Sequence, residues 1–244
     1  MSNQRRFEEP PMAIGEKKQV VVLELDTSYS MCEKDKIKKL VQAVNRLIEK
    51  GKADDLVSRN VELIIVVYNS HAEVFQPAAP MAKCMGIDLN AAGETNAEEA
   101  YFLSVKVATD RCKVLEKLGG TVYIPWIFHF TDGRAFMNGQ TQDLTRVAQD
   151  VKRTVANNKV RFMTFGVDDA DYETLEAVYG KDYVFSIEDY DFQGVFDWLF
   201  KTVRAITRTA PGEEIDVDAM PDTVLDAEDR KEKKKRKLKQ LMNA

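Results

Sequence analysis

Apolar and polar positions along this 244-residue chain alternate between two rhythms. Val20-Val21-Val22-Leu23-Glu24-Leu25 is an almost unbroken apolar run, as expected of a strand covered on both faces. Ile37, Leu40, Val41, Val44, Leu47 and Ile48 then recur at helical spacing and form one stripe. Val61 to Val67 is a second β-branched run, and Ala72 to Phe75, closed by Pro77, predicts a short edge strand. Tyr101, Val105, Ala108, Cys112 and Leu115 mark another helix, which stops at Gly119-Gly120. Val122 to Phe130 is a third long strand, in which Pro125 predicts a bulge or a late start. A helix carrying Leu144, Val147, Ala148, Val151 and Val155 leads to a strand over Val160 to Val167. A short helix over 170–179, a brief strand over Tyr183 to Phe185, and a last helix bearing Phe192, Val195, Phe196, Leu199 and Val203 complete the pattern.

Strands alternating with helices imply right-handed crossovers. The expected fold is α/β and doubly wound, with a mainly parallel central sheet, one short antiparallel edge strand and helices on both faces. Residues 18–208 carry this pattern as one domain. Residues 1–17 read as an N-terminal arm, with Pro10-Pro11 extended. Residues 209–244 read as a disordered tail, acidic over 212–229 and basic over 230–239.

Charge and cysteine usage narrow the function classes. A net charge of −5 leaves no basic footprint for nucleic acid across the body. The tail run Arg230 to Lys237 reads first as a solvated end, then as a helix for an acidic partner, then as a weak nucleic-acid or membrane patch. Cys32, Cys84 and Cys112 are an odd number with no Cys-x-x-Cys spacing, as in a reducing compartment. No apolar leader opens the chain, and no run approaches the roughly 20 residues of a membrane span. A cytoplasmic, soluble chain is expected.

The first strand ends in Asp26-Thr27-Ser28-Tyr29-Ser30, so a carboxylate and two hydroxyls fall at alternate positions of one turn. Hard divalent cations take oxygen ligands, and ligands of open α/β sheets gather at the carboxyl ends of strands. The same residues can also serve as an ordinary turn that caps the next helix. Thr95, in Gly93-Glu94-Thr95-Asn96, lies just before the second helix, where Glu94 and Asn96 are rival caps. Asp132-Gly133 follows the third long strand. All five oxygen-bearing positions therefore fall at one end of the sheet. His129 reads as a core or near-surface histidine, Trp126 and Trp198 as core, Cys32 as a packing residue, and Asp168-Asp169 as a helix cap at the same sheet end.

Asp26, Ser28, Ser30, Thr95 and Asp132 together resemble the metal-ion-dependent adhesion site of the von Willebrand factor A domain. The likeness covers about residues 18–207. It implies a site for Mg²⁺, with Mn²⁺ or Ca²⁺ as alternatives. In it Ser28, Ser30 and, in one state, Thr95 coordinate directly, while Asp26 and Asp132 act largely through ordered waters. Hydroxyl ligands leave the ion with affinity for one further oxygen, which a protein partner's Asp or Glu supplies. The closing helix from Asp191 to Leu199 is similar to that of bacterial cytosolic TerY/YegL-like proteins, which are associated with tellurite resistance and stress operons beside kinases and phosphatases. Tyr29 departs from the Gly usual in that group.

The resemblance implies an intracellular interaction adaptor and not an enzyme. No phosphate loop, Gly-x-Gly-x-x-Gly or Gly-x-Ser-x-Gly is present. Two other readings are a Mg²⁺-dependent phosphotransferase or hydrolase using Asp26, and a scaffold that binds through its charged tail. The first lacks the Asp-x-Asp of haloacid-dehalogenase-type enzymes, because Ser28 stands where the second acid belongs.

Overall fold

The computed structural model describes residues 12, 16–167, 170–209 and 218–242. The order of elements follows the alternating pattern. β1 (Lys17–Asp26) leads through a 3₁₀ segment to α1 (Lys36–Ala53) and α2 (Asp55–Asn60), then to β2 (Val61–Tyr68) and β3 (Ala72–Pro80). α3 (Ala97–Lys117) is followed by β4 (Thr121–Val122), β5 (Trp126–Thr131) and the small hairpin of β6 (Phe136–Met137) and β7 (Gln140–Thr141). α4 (Thr145–Ala156), β8 (Arg161–Val167), α5 (Tyr172–Tyr179), β9 (Val184–Ile187) and α6 (Phe192–Arg208) complete the domain. β10 (Val224–Leu225) and α7 (Ala227–Met242) come after it.

The main sheet has the order β10-β9-β8-β5-β1-β2-β3, with β4 beside the start of β1. β1 pairs in parallel with both β2 and β5, and β8 in parallel with β5 and β9. Successive residues of β1 face opposite ways. Val21, Leu23 and Leu25 join a core built with α1 and α6, whereas Val20 and Val22 join a core built with α3, α4 and α5. Helices therefore cover both faces, and the strand run from Val20 to Leu25 is apolar except for Glu24 because neither face meets water.

The doubly wound, mainly parallel sheet is as expected, and two regions, the sheet edges and the tail, differ in detail. The sheet ends in antiparallel strands at both edges, β3 against β2 and β10 against β9, instead of at one. β3 also continues past Pro77 to nine residues. Its pairing with β2 loses register between Leu63 and Ile65, so Pro77 sits in an irregular stretch of an edge strand, where its missing N–H is tolerated. Pro125 acts as expected, since β5 starts at Trp126.

The second difference is in the tail. Over 218–242, where composition predicts disorder, the structure describes β10 and α7. Only Val224 and Leu225 supply a strand signal there, too short for periodicity to register. Polar contacts add to it: Arg230 lies 4.4 Å over the Tyr172 ring and donates to the carbonyls of Val184 and Leu225, both at 3.1 Å. Arg230 also pairs with Glu176, and Lys233 with Glu188. The Trp198 indole donates to the Asp218 carbonyl at 2.8 Å. Ending the chain at Thr209 uncovers the β9 edge and removes that acceptor. A stability loss of about 1–3 kcal/mol is expected, measured by thermal melting, and an unchanged melting curve would show that residues 218–242 add nothing.

Most of the N-terminal arm, Asp168-Asp169 and residues 210–217 lie outside the described residues. No described helix is long and apolar enough to cross a membrane.

Candidate metal centre

β1 and β5 are neighbours, and the chain departs from them in opposite directions. The strand order β3-β2-β1-β5-β8-β9 is that of a doubly wound sheet, with the crevice for ligands between its two central strands. Asp26 is the last residue of β1 and Thr131 the last of β5. The Leu25–Phe130 register places them side by side. Thr131 Oγ1 donates to Asp26 Oδ2 at 2.8 Å, and the Ser28 backbone N–H donates to Asp26 Oδ1 at 2.8 Å. Ser28 Oγ and Ser30 Oγ are 3.2 Å apart. Thr27 ties the turn to β2, with its N–H and hydroxyl both donating to the Tyr68 carbonyl.

The Thr95 loop is fastened to this turn by backbone. The Tyr29 N–H donates to the Gly93 carbonyl at 3.0 Å, and the Ala92 N–H to the Thr27 carbonyl at 2.8 Å. Gly93 has φ +79, which only glycine adopts readily, and a Cβ there would lie 2.8 Å from Ser70 Oγ. Thr95 exchanges two backbone hydrogen bonds with Phe136, which follows Asp132 on the β6–β7 hairpin. Glu94 accepts from the N–H groups of Asn138 and Gly139 at the hairpin tip. α3 is capped by Asn96, whose side chain accepts from the Glu99 N–H. Thr95 is thus held at the rim by its backbone, and Asn96 fills the capping role.

Asp132 is fixed by its neighbours. The Gly133 N–H donates to Thr131 Oγ1 at 2.9 Å. Gly133 has φ +80, and a Cβ would come within 2.7 Å of the Asp171 nitrogen. Asp132 Oδ2 lies 3.3 Å from the Lys36 ammonium, with both side chains buried. Asp132 Oδ1 is also buried and has no hydrogen-bonding partner among the described residues.

Electrostatics place a negative charge here that protein groups only partly offset. Burial pushes the Asp26 carboxyl up from its usual range to about 6, and the charge of Asp132 adds to the effect. Hydrogen bonds from Ser28 and Thr131 act in the opposite sense. Two buried acids, one with an unpartnered oxygen, and the paired hydroxyls of Ser28 and Ser30 suit a hard cation that accepts carboxylate, hydroxyl and water ligands. Among the described residues no three His, Cys, Asp or Glu side chains form a metal-holding group. A soft or His-rich metal site therefore has no support there. Tyr29, 70 % exposed, and Phe136, 43 % exposed, flank the rim.

The five residues named from the sequence come from three segments that the fold stitches together. Two participants were not read from the sequence. Thr131 is the residue beside Asp132 and looks like an ordinary strand end. Lys36 lies on the same helical face as Leu40 and Val44, so a charged residue on an apolar stripe was the available signal. His129 is buried as expected and held neutral, its pKa lowered to about 3 by burial, with Nε2 2.7 Å from the Tyr68 hydroxyl. Trp198 is core, but Trp126 is only half-buried. Cys32 is exposed instead of packed, its thiol 3.3 Å from the Ala91 carbonyl.

No protein-family model matches the chain, and no curated protein matches it. Solved structures do. The von Willebrand factor domain of the type V pili tip protein Mfa5 from Porphyromonas gingivalis aligns with TM-score 0.56 and 11% identity, over 82% of this chain and 99% of that one. Manganese-loaded TRAP protein from Plasmodium vivax aligns with TM-score 0.53 and 15% identity, over 77% and 74%. A von Willebrand factor type A structure from Catenulispora acidiphila aligns with TM-score 0.50 and 15% identity, over 78% of this chain and 43% of that one. The chain thus spans less than half of some matched structures. At these identities the likeness concerns architecture alone, and that architecture, sheet order and helix layers included, is the von Willebrand factor A fold.

Proposed function

We propose that this chain is a metal-dependent protein-interaction module, in which Asp26, Ser28, Ser30, Thr95 and Asp132 hold a Mg²⁺-type ion that captures a partner's carboxylate. The observation that carries the reading is the pair of buried acids at the β1/β5 crevice, with Asp132 Oδ1 unpartnered among the described residues and hydroxyls alongside. The ion supplies Lewis acidity toward a carboxylate oxygen. Asp26 orients the Ser28 turn through its Oδ1 and the β5 terminus through its Oδ2. Ser28 and Ser30 present neutral oxygens, so less of the ion's charge is cancelled than by an all-carboxylate shell. Tyr29 and Phe136 border the approach and offer aromatic surface of the kind that dominates protein interfaces. The manganese in the TRAP structure is a property of that protein and supports the choice of a divalent ion by analogy.

Both Asp26 oxygens accept hydrogen bonds from the fold, which suits an orienting residue better than a nucleophile. The three cysteines are unpaired, in keeping with a reducing, intracellular setting. A place in a stress or tellurite-resistance system with kinase and phosphatase partners is the physiological form of the proposal, carried by the α6 likeness. The test is affinity capture on the immobilised chain in Mg²⁺ buffer with elution by EDTA. Specific proteins released by EDTA, and absent from a Ser28→Ala/Ser30→Ala column, are expected. Capture that ignores both EDTA and the substitutions would reject metal dependence.

A further inference from the structure

Asp132, one of the candidate ligands, is paired with a buried lysine. Lys36 opens α1 directly after Lys34 (φ +52) and Asp35 (φ +58), two successive non-glycine residues in the left-handed region. L residues adopt that conformation at an energetic cost, and here it turns Lys36 under the helix. Its neighbours remain outside: Lys38 pairs with Asp35 at 2.8 Å on the surface, and Lys39 lies 4.6 Å from the Tyr190 ring centroid. Lys36 is 2 % exposed, and its ammonium points at Asp132 Oδ2, 3.3 Å away. Leu40 and Val44, on the same face of α1, are buried in the core.

A buried ammonium needs a counter-charge, and a buried carboxylate left alone is strongly disfavoured. Lys36 and Asp132 therefore satisfy one another in the ion-free chain. A divalent ion drawing on Asp132 meets a fixed positive charge of the same sign within a few ångströms, where screening by water is weak. From this geometry, and resting on the reading that the site holds a divalent ion, we propose that Lys36 is a tethered competitor of that ion. Its ammonium neutralises Asp132 when no ion is bound and lowers the site's affinity for the ion alone. A partner carboxylate adds the negative charge that Lys36 offsets. Ion and partner then bind with positive coupling, each raising the other's affinity by the same factor. The site is thereby built to hold its ion well only while it holds its partner.

The test is calorimetric titration of Mn²⁺ into EDTA-stripped wild type, Lys36→Met, Lys36→Gln and Lys36→Arg, with melting curves in EDTA and in Mn²⁺. Lys36→Gln keeps an N–H donor for Asp132 and serves if Lys36→Met fails to fold without metal. The expected result is roughly tenfold or greater tightening in the Met and Gln variants, about 1.4 kcal/mol per tenfold, and no tightening in Lys36→Arg. Lys36→Met is also expected to melt below wild type in EDTA and to gain more from Mn²⁺ than wild type does. Binding by the Gln variant where wild type shows none would support the competitor role in its strongest form. Measurable wild-type binding that Lys36→Gln leaves equal or weaker, or tightening shared by Lys36→Arg, would overturn the role of Lys36 while leaving the metal site standing. No Mn²⁺ binding in any folded variant would overturn the metal site and this inference together.

Discussion

Asp26→Asn is expected to weaken metal-dependent capture by about 10- to 100-fold while raising the melting temperature of the metal-free chain. The two effects have one cause. Burial holds the Asp26 carboxyl at about 6, above its ordinary value, so ionised Asp26 burdens the folded state at neutral pH. A neutral amide of the same shape removes that burden. Asp26 also fixes the Ser28 turn and the Thr131 terminus, and loss of a group that orients ligands costs about 10- to 100-fold in metal affinity. Melting in EDTA and Mn²⁺ titration read the two effects separately. An Asn variant that binds metal like wild type would remove Asp26 from the site. One that melts lower than wild type in EDTA would show its charge to be already compensated by the fold.

Glu24→Gln is expected to stabilise the chain at alkaline pH and to change little in acid. Glu24 lies in β1, fully buried, and neither carboxylate oxygen has a hydrogen-bonding partner among the described residues. The His129 ring lies beside it, Nε2 3.7 Å from Oε1. Burial, with the Asp26 charge adding, raises its pKa from 4.5 to about 7, although Ser104 acts to lower it. The unfolded chain thus loses this proton first as pH rises. Stability falls between about pH 4.5 and 7 and stays lowered above that window, by about 3 kcal/mol at 1.36 kcal/mol per unit of pKa. His129 works in the opposite sense, because its depressed pKa makes the folded state lose stability as pH falls below 6.5. Melting of Glu24→Gln against wild type across pH 4–9 should show curves that separate as pH rises, by on the order of 5–10 °C at the top. Curves that coincide at pH 8 would mean that the Glu24 carboxylate is paired in solution.

How much of this was legible in the sequence depended on whether a residue's role is local. Asp26, Ser28 and Ser30 share one turn, so their spacing exposes them. The long strands are buried on both faces, and their apolar runs announce it. Thr95 was harder, because its place is set by backbone bonds to Phe136, 41 residues away, and because Asn96 is the actual cap. Thr131 and Lys36 act through contacts across the sheet edge, which no local pattern reports. β10 escaped for a different reason: two apolar residues in an acidic stretch carry no period, and their strand exists because the β9 edge offers hydrogen bonds. Glu24 reads as a lone polar interruption of an apolar run, and only the packing around it shows how costly its charge is. The fold follows from repeated local signals, whereas the polar partnerships at its carboxyl edge follow from topology.

Binding of a divalent ion in the β1/β5 crevice underlies both the proposed capture of a partner and the proposed role of Lys36. Its most direct test is titration of Mn²⁺ into the EDTA-stripped wild-type chain, followed by the electron paramagnetic resonance signal of free Mn²⁺. One saturable site per chain, displaced by Mg²⁺ and weakened about tenfold or more in Asp26→Asn, is the predicted result. A free Mn²⁺ signal that rises in proportion to added metal up to roughly millimolar concentration, in wild type and in Lys36→Gln alike and with the fold intact by circular dichroism, would contradict it.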